Sequence, residues 1–168
     1  MVLASRLQTY RLCRTLMIEV LVYLFEQYYH GAGYPDHDIL AKKLSRAGFD
    51  AEDIEDALDW LRGLTEQEES DFPLAFKEGN SFRSYSVSEF AKLAPEARGF
   101  LALLDSARVL TPTLRELIIE RAMAMRNDAV NLKQLKIIVL MVIWTQRGNI
   151  DTLMLEELLP DGEPRVVH

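Results

Sequence analysis

An uninterrupted apolar run near the C-terminus constrains the fold of this chain more than any other feature. The eight residues from Ile137 to Trp144, IIVLMVIW, leave no polar side chain for solvent. A helix that is apolar on every side is normally buried on every side. Asn131 is a suitable N-cap and Gly148 a suitable C-terminal stop, so the sequence predicts a central buried helix over residues 132–146. The run is too short for a membrane-spanning helix, which needs about 20 apolar residues.

The N-terminal half has the pattern of three amphipathic helices followed by a hairpin. The predicted helices, each with apolar residues recurring on one face, cover residues 17–29, 36–47 and 50–64. Gly79-Asn80 lies between two short aromatic-rich runs and predicts a β-hairpin whose second strand covers residues 82–87. Three helices followed by a hairpin is the order of a winged-helix domain. Residues 17–87 are therefore predicted to form a helix-turn-helix or winged-helix-like unit.

Residues 88–168 are predicted to form a helical domain around the central helix. Ser86 and Glu89 have the spacing of a capping box, and Thr111-Pro112 combines an N-cap with proline at the first helical position. Because no flexible linker separates the two halves, we expect them to share an interface. The predicted fold class is therefore mainly α, with a winged-helix-like half of three helices and a β-hairpin packed on a C-terminal helical bundle.

Residues 1–16 differ from the rest of the chain. They contain Arg6, Arg11 and Arg14 and no acidic residue. An Arg-rich, acid-free start is similar to an organellar transit peptide. The alternative, which we favour, is that this segment is disordered or lies upstream of a true start at Met17.

Five strings of the sequence occur together, in one unbroken order, in a known family. They are MIEVLVYLFEQYYH, LAKKLSRAGFDAEDIEDALDWLRGL, SFRSYSVSE, ARGFLALLDSARVL and LKIIVLMVIWTQ. They resemble the bacterial Smg protein family over about residues 17–160, which leaves residues 1–16 outside the family pattern. The resemblance implies a cytoplasmic bacterial protein encoded near DNA-processing functions, and it implies no catalytic residue.

The motifs give no support for an enzyme or for a cofactor or metal site. The single cysteine, Cys13, rules out an intramolecular disulfide and any cysteine-based metal cluster. The histidines His30, His37 and His168 do not have the spacing of a metal-binding motif. The GAG string at 31–33 lacks the preceding strand and the following lysine of a phosphate-binding loop. We therefore expect a protein without catalytic residues, cofactor or metal.

Charge separates two hypotheses about binding partners. The net charge of −7, from 19 basic and 26 acidic residues, disfavours a general nucleic-acid or anionic-membrane surface, because phosphate contacts need clustered cations. The acidic helix over 50–64 could instead dock on a basic protein surface. Its candidate contact residues are Glu52, Asp53, Asp56 and Trp60. Tryptophan is frequent in interface hot spots, but for Trp60 we favour a core position over an interface position.

The alternative function is nucleic-acid binding by a winged-helix-like protein linked to DNA processing. Its candidate contacts are Lys42, Lys43 and Arg46 on the first helix of the turn motif and Arg83 on the predicted wing. A DNA-reading helix-turn-helix places its basic side chains on the second helix, which here is the acidic helix. The sequence therefore favours a non-enzymatic cytoplasmic adaptor or regulatory protein that acts through contacts with an unidentified protein partner.

Overall fold

The computed structural model describes residues 17–29, 35–66, 83–147 and 152–158, and all regular secondary structure in these ranges is helical. The helices are α1 over 17–28, α2 (His37–Ala47), α3 (Ala51–Thr65), α4 (Val87–Lys92), α5 (Pro95–Ser106), α6 (Pro112–Met123), α7 (Leu132–Arg147) and α8 (Thr152–Leu158). Within the same ranges, no helix has both the length and the apolar content needed to cross a bilayer.

Local sequence signals set several helix ends. α2 ends at Gly48, whose φ of 99° lies in the left-handed region that glycine adopts without strain. The capping box predicted at the start of α4 is confirmed, because Ser86 and Glu89 exchange side-chain-to-backbone hydrogen bonds. At the start of α7, Asn131 and Gln134 form a similar reciprocal pair with distances of 3.0 and 2.9 Å. These bonds satisfy backbone donors that a helix start otherwise leaves unpaired.

The apolar run lies inside α7 at the centre of the protein. From Ile137 to Trp144, no residue is more than 8% exposed. α3, α5, α6 and α8 all contact α7, and α1 reaches it through Phe25, whose ring packs edge to face on Trp144 with 5.1 Å between centroids. The buried apolar side chains of both halves form one continuous core, so α7 is covered by helices from each half.

The predicted β-hairpin is wrong, and the winged-helix-like half is wrong with it. The predicted turn at Gly79-Asn80 lies outside the described residues. In the part of the second strand that the structure describes, residues 83–86 have no regular secondary structure and Val87 begins α4. The capping box of Ser86 and Glu89 commits the chain to a helix at the point where the hairpin prediction continued a strand.

Arg83 anchors residues 83–86 to two helices instead of presenting a wing. Its Nε donates to Oε1 of Glu116 at 2.7 Å, and its Nη2 donates to Oε2 of Glu116 and to Oε1 of Glu89, both at 2.8 Å. Its Nη1 donates to Oε2 of Glu89 at 2.8 Å and to the carbonyl oxygen of Ser84 at 3.2 Å. A guanidinium group has five N–H donors, so Arg83 uses its full set.

The same ion pairs change the protonation equilibria of both partners. Hydrogen bonds from Arg83 lower the pKa of Glu89 to about 2, against the opposing effect of burial. Hydrogen bonds to Glu89 and Glu116 raise the pKa of Arg83 above its ordinary value. The cluster therefore stays fully charged at neutral pH and holds α4 against α6.

Val139→Asp tests the burial of α7. The substitution places an unpaired carboxylate at a fully buried position, which should cost on the order of 5 kcal/mol and unfold the protein. Val87→Asp is the matched control, because Val87 is 89% exposed and begins α4. It should change the free energy of unfolding by less than about 0.5 kcal/mol. Urea denaturation followed by circular dichroism measures both, and a wild-type midpoint for Val139→Asp would contradict a buried α7.

Glu89→Gln tests the contribution of the Arg83 ion pairs. At neutral pH it should cost on the order of 2 kcal/mol, because it removes charge-assisted hydrogen bonds. The folded pKa of Glu89 is depressed from 4.5 to about 2. Its contribution is therefore present above about pH 4.5 and is lost as the pH falls toward 2. The difference between wild type and variant should shrink across that window in denaturation curves. Exposed Glu96→Gln is the control, and equal pH profiles for both variants would contradict the ion-pair account.

Candidate protein-interaction surface

A cluster of carboxylates lies where the first turn of α3 approaches α1. Asp50 is the N-cap of α3, and Glu52 and Asp53 belong to its first turn. Glu19 of α1 is close enough to raise the pKa of Asp53 by charge repulsion. A helix N-terminus attracts negative charge, which explains acids in the first turn of α3. It does not explain the added charge from α1. No ion pair within the described residues involves any of these four carboxylates, Asp50, Glu52, Asp53 and Glu19.

Asp53 is the unusual member of this acidic cluster. It is only 5% exposed, and its side chain has no hydrogen bond to any residue that the structure describes. Burial is the main cause that raises its pKa, and repulsion from neighbouring carboxylates adds to the shift. No group of three or more His, Cys, Asp or Glu in the described ranges has the geometry to hold a metal ion. The cluster therefore carries an uncompensated negative charge.

Trp60 is a core residue, as the sequence favoured, and it is not part of the exposed surface of α3. It is 5% exposed, and its Nε1 donates to the carbonyl oxygen of Arg121 at 3.0 Å. In return, Nη1 of Arg121 donates to the carbonyl oxygen of Trp60 at 3.3 Å. A Cβ atom at Gly63 would collide with that Nη1, so glycine there permits the close approach of α3 and α6.

Asp56 is already paired, unlike Glu52. Its Oδ1 lies 2.7 Å from Nη1 of Arg126, which follows α6. Of the predicted contact residues, only Glu52 is both exposed and without an ion pair in the described part of the chain. The accessible acidic surface therefore centres on the start of α3 and on Glu19, which the sequence prediction did not include.

An open groove of about 350 Å³, the acidic groove, adjoins this cluster. Its apolar lining comes from Ile18, Val22, Tyr23 and Phe49, and its charged rim from Glu19, Glu26 and Lys133. These residues belong to α1, to the α2–α3 turn and to the start of α7, so periodicity along one segment could not reveal the groove. One sequence feature indicates an exposed contact surface here: α1 has more aromatic residues than a single buried face requires.

The basic residues of the nucleic-acid hypothesis do not form one surface. Lys42, Lys43 and Arg46 are exposed on α2, and Nζ of Lys43 donates to the hydroxyl of Tyr28 at 3.0 Å. Arg83 has no donor left for a phosphate, because two glutamates and a carbonyl use its full set. In this structure Arg83 is held within the fold, and the exposed cations of the nucleic-acid hypothesis are the three on α2.

Comparisons with known proteins identify the family. A family model described as "Protein of unknown function (DUF494)" matches residues 17–168. The "Protein Smg homolog" of Bordetella avium (strain 197N) is 48% identical over 152 residues, which cover 90% of this chain and 100% of that relative. The chain belongs to the Smg family. The resemblance inferred from the sequence strings is thus confirmed.

Other relatives from the Smg family give the same result. The "Protein Smg homolog" of Bordetella petrii is 49% identical over 152 residues, covering 90% of this chain and 100% of the relative. That of Aromatoleum aromaticum is 51% identical over 146 residues, covering 86% of this chain and 94% of the relative. No solved structure matches this Smg-family chain.

Asp53→Asn tests the electrostatic cost of the acidic cluster in this Smg-family fold. The raised pKa of Asp53 means that its charged form destabilises the fold at neutral pH. The variant should therefore melt a few degrees higher than wild type at pH 7. This difference in melting temperature should disappear as the pH falls below 3.8, the ordinary pKa of an aspartate side chain. At such pH the wild-type Asp53 is neutral in the folded and in the unfolded state.

Asp56→Asn is the matched control for this experiment. It makes the same chemical change one turn further along α3, but it removes the ion pair with Arg126, so it should not raise the melting temperature. The measurement is thermal denaturation of wild type, Asp53→Asn and Asp56→Asn, at pH 7 and again below pH 3.8. A lower melting temperature for Asp53→Asn at pH 7 would contradict an uncompensated charge at Asp53.

Proposed function

We propose that this chain is a non-enzymatic cytoplasmic adaptor or regulatory protein that binds a protein partner at the acidic groove. One observation carries the proposal: Glu19, which has no ion pair in the described part of the chain, lines an apolar groove and lies close to the acidic first turn of α3. A surface that combines apolar contact area with an excess of one charge suits recognition of an oppositely charged partner.

The acidic cluster lowers stability, and this supports a role in binding. Burial and repulsion raise the pKa of Asp53, so keeping it charged at neutral pH costs folding free energy. A cation from a partner would remove part of that cost on binding. Groups that reduce stability without serving the core are characteristic of functional surfaces. The position of Asp53 therefore favours a binding role over a purely structural one.

The chemistry of the groove indicates the class of partner. An amphipathic helix could place apolar side chains on Val22 and Phe49 and Lys or Arg side chains beside Glu19 and Glu52. Charge complementarity of this kind mainly raises the association rate and the specificity, and salt weakens it. The proposed partner is therefore a protein with a basic, amphipathic helical segment.

The nucleic-acid alternative retains three of its four proposed contacts. Lys42, Lys43 and Arg46 are exposed on α2, whereas the glutamates hold Arg83. A partner bound through nucleic acid would be released by nuclease, which makes the two functions separable in one experiment.

Charge reversal at the acidic groove tests the proposed function. The full chain is immobilised and exposed to a lysate of its native bacterium, with and without nuclease, and bound proteins are identified by mass spectrometry. Wild type should capture a nuclease-resistant partner that the Glu19→Lys/Glu52→Lys variant loses, because Glu19 lines the groove and Glu52 is an exposed member of the acidic cluster. The captured partner should also elute as the salt concentration rises.

The matched control is Glu96→Lys/Glu156→Lys, which makes the same charge change at exposed glutamates on α5 and α8. It should retain the partner. Equal capture by both double variants would remove the acidic groove from the proposal. Capture that disappears after nuclease treatment would favour the nucleic-acid function instead.

A further inference from the structure

A second groove lies between α1 and α2 and carries the opposite charge. This basic groove has a volume of about 400 Å³. Leu24, Leu40 and Leu44 contribute apolar lining, and Tyr28, Lys43 and Arg46 contribute polar groups. The leucines are buried in the core and form the floor of the groove. The apolar surface that a partner can reach comes from the partly exposed rings of Tyr23 and Tyr28 and from Ile39 beside the groove.

The cations beside this groove form a stripe along α2. Ile39, Lys42, Lys43 and Arg46 have the i, i+3, i+4, i+7 spacing of one helical face. All four are exposed, Ile39 by 47%. None of the three cations forms an ion pair with a residue that the structure describes. In a chain of net charge −7, this stripe is a local reversal of charge.

We propose that the basic groove binds an acidic amphipathic helix of a protein partner. The apolar side chains of that helix would contact Ile39 and the rings of Tyr23 and Tyr28. Its carboxylates would pair with Lys42, Lys43 and Arg46. Lys42 and Arg46 are one helical turn apart, about 6 Å along the axis. This matches the separation of two carboxylates at positions i and i+4 of a partner helix packed alongside.

A long polyanion fits this surface less well than a short acidic helix. Tyr23 lines both the basic groove and the acidic groove, so the two charged surfaces are neighbours. A nucleic acid longer than the basic groove would bring phosphates toward Glu19 on the other side, where charge repulsion opposes binding. Nucleic-acid affinity also depends on many phosphate contacts, and α2 supplies three cations. The charge distribution therefore favours an acidic helix.

Selection of peptides on the full chain tests this site and needs no identified partner. A phage-displayed library of random peptides is selected on the wild-type protein, and the enriched peptides are synthesised. We expect sequences in which Asp or Glu alternates with Leu or Phe at helical spacing. Fluorescence anisotropy then gives their Kd, which should rise about tenfold for Lys42→Glu/Arg46→Glu.

The control variant is Arg62→Glu/Arg108→Glu, which makes the same charge change at exposed positions that line neither groove. It should leave the Kd unchanged, and circular dichroism should show that both variants keep the wild-type fold. Failure to enrich acidic amphipathic peptides, or an equal Kd for both variants, would overturn the proposal. Tighter, salt-sensitive binding of single-stranded oligothymidylate that the Lys42→Glu/Arg46→Glu variant loses would assign the groove to nucleic acid and overturn it too.

Discussion

The all-round burial of α7 is the constraint on which the rest of the fold depends. A helix with eight consecutive apolar residues has no face that water can occupy, so other helices must cover every side of it. α3, α5, α6 and α8 contact it directly, and Phe25 of α1 packs on Trp144. Binding must therefore use outer faces and the grooves between covering helices, which is where both candidate surfaces lie.

Two arginines, partly buried Arg83 and buried Arg121, join pairs of helices through bonds inside the fold. Arg83 links α4 to α6 through Glu89 and Glu116, and Arg121 of α6 bonds to the backbone of α3 at Trp60. Arginine suits such positions because its planar group donates in several directions at once. Removing one partner would leave a buried charge uncompensated. The sequence analysis assigned Arg83 to a basic surface, whereas the fold uses it internally.

The sequence predicted the features that depend on neighbouring residues and missed those that depend on distant ones. The capping box of Ser86 and Glu89 acts over three residues and was predictable. The role of Arg83 depends on Glu116, 33 positions away, so an alternating pattern was interpreted as a strand. The hydrogen bond between Trp60 and the backbone of Arg121 spans 61 positions and was equally invisible. The grooves are assembled from separate helices, so no local pattern could predict them.

The two grooves also show why net charge alone is a poor guide to the partners of this chain. The value of −7 sums internal ion pairs and exposed groups, although only exposed groups act on a partner. At physiological salt the field of an exposed charge decays over about 8 Å, so a partner responds to the groove it contacts. Around α1 the field changes sign from Glu19 on one side to Arg46 on the other, with Tyr23 lining both grooves. The proposed basic and acidic partner helices would therefore each meet a local field of opposite sign, whatever the net charge of the chain.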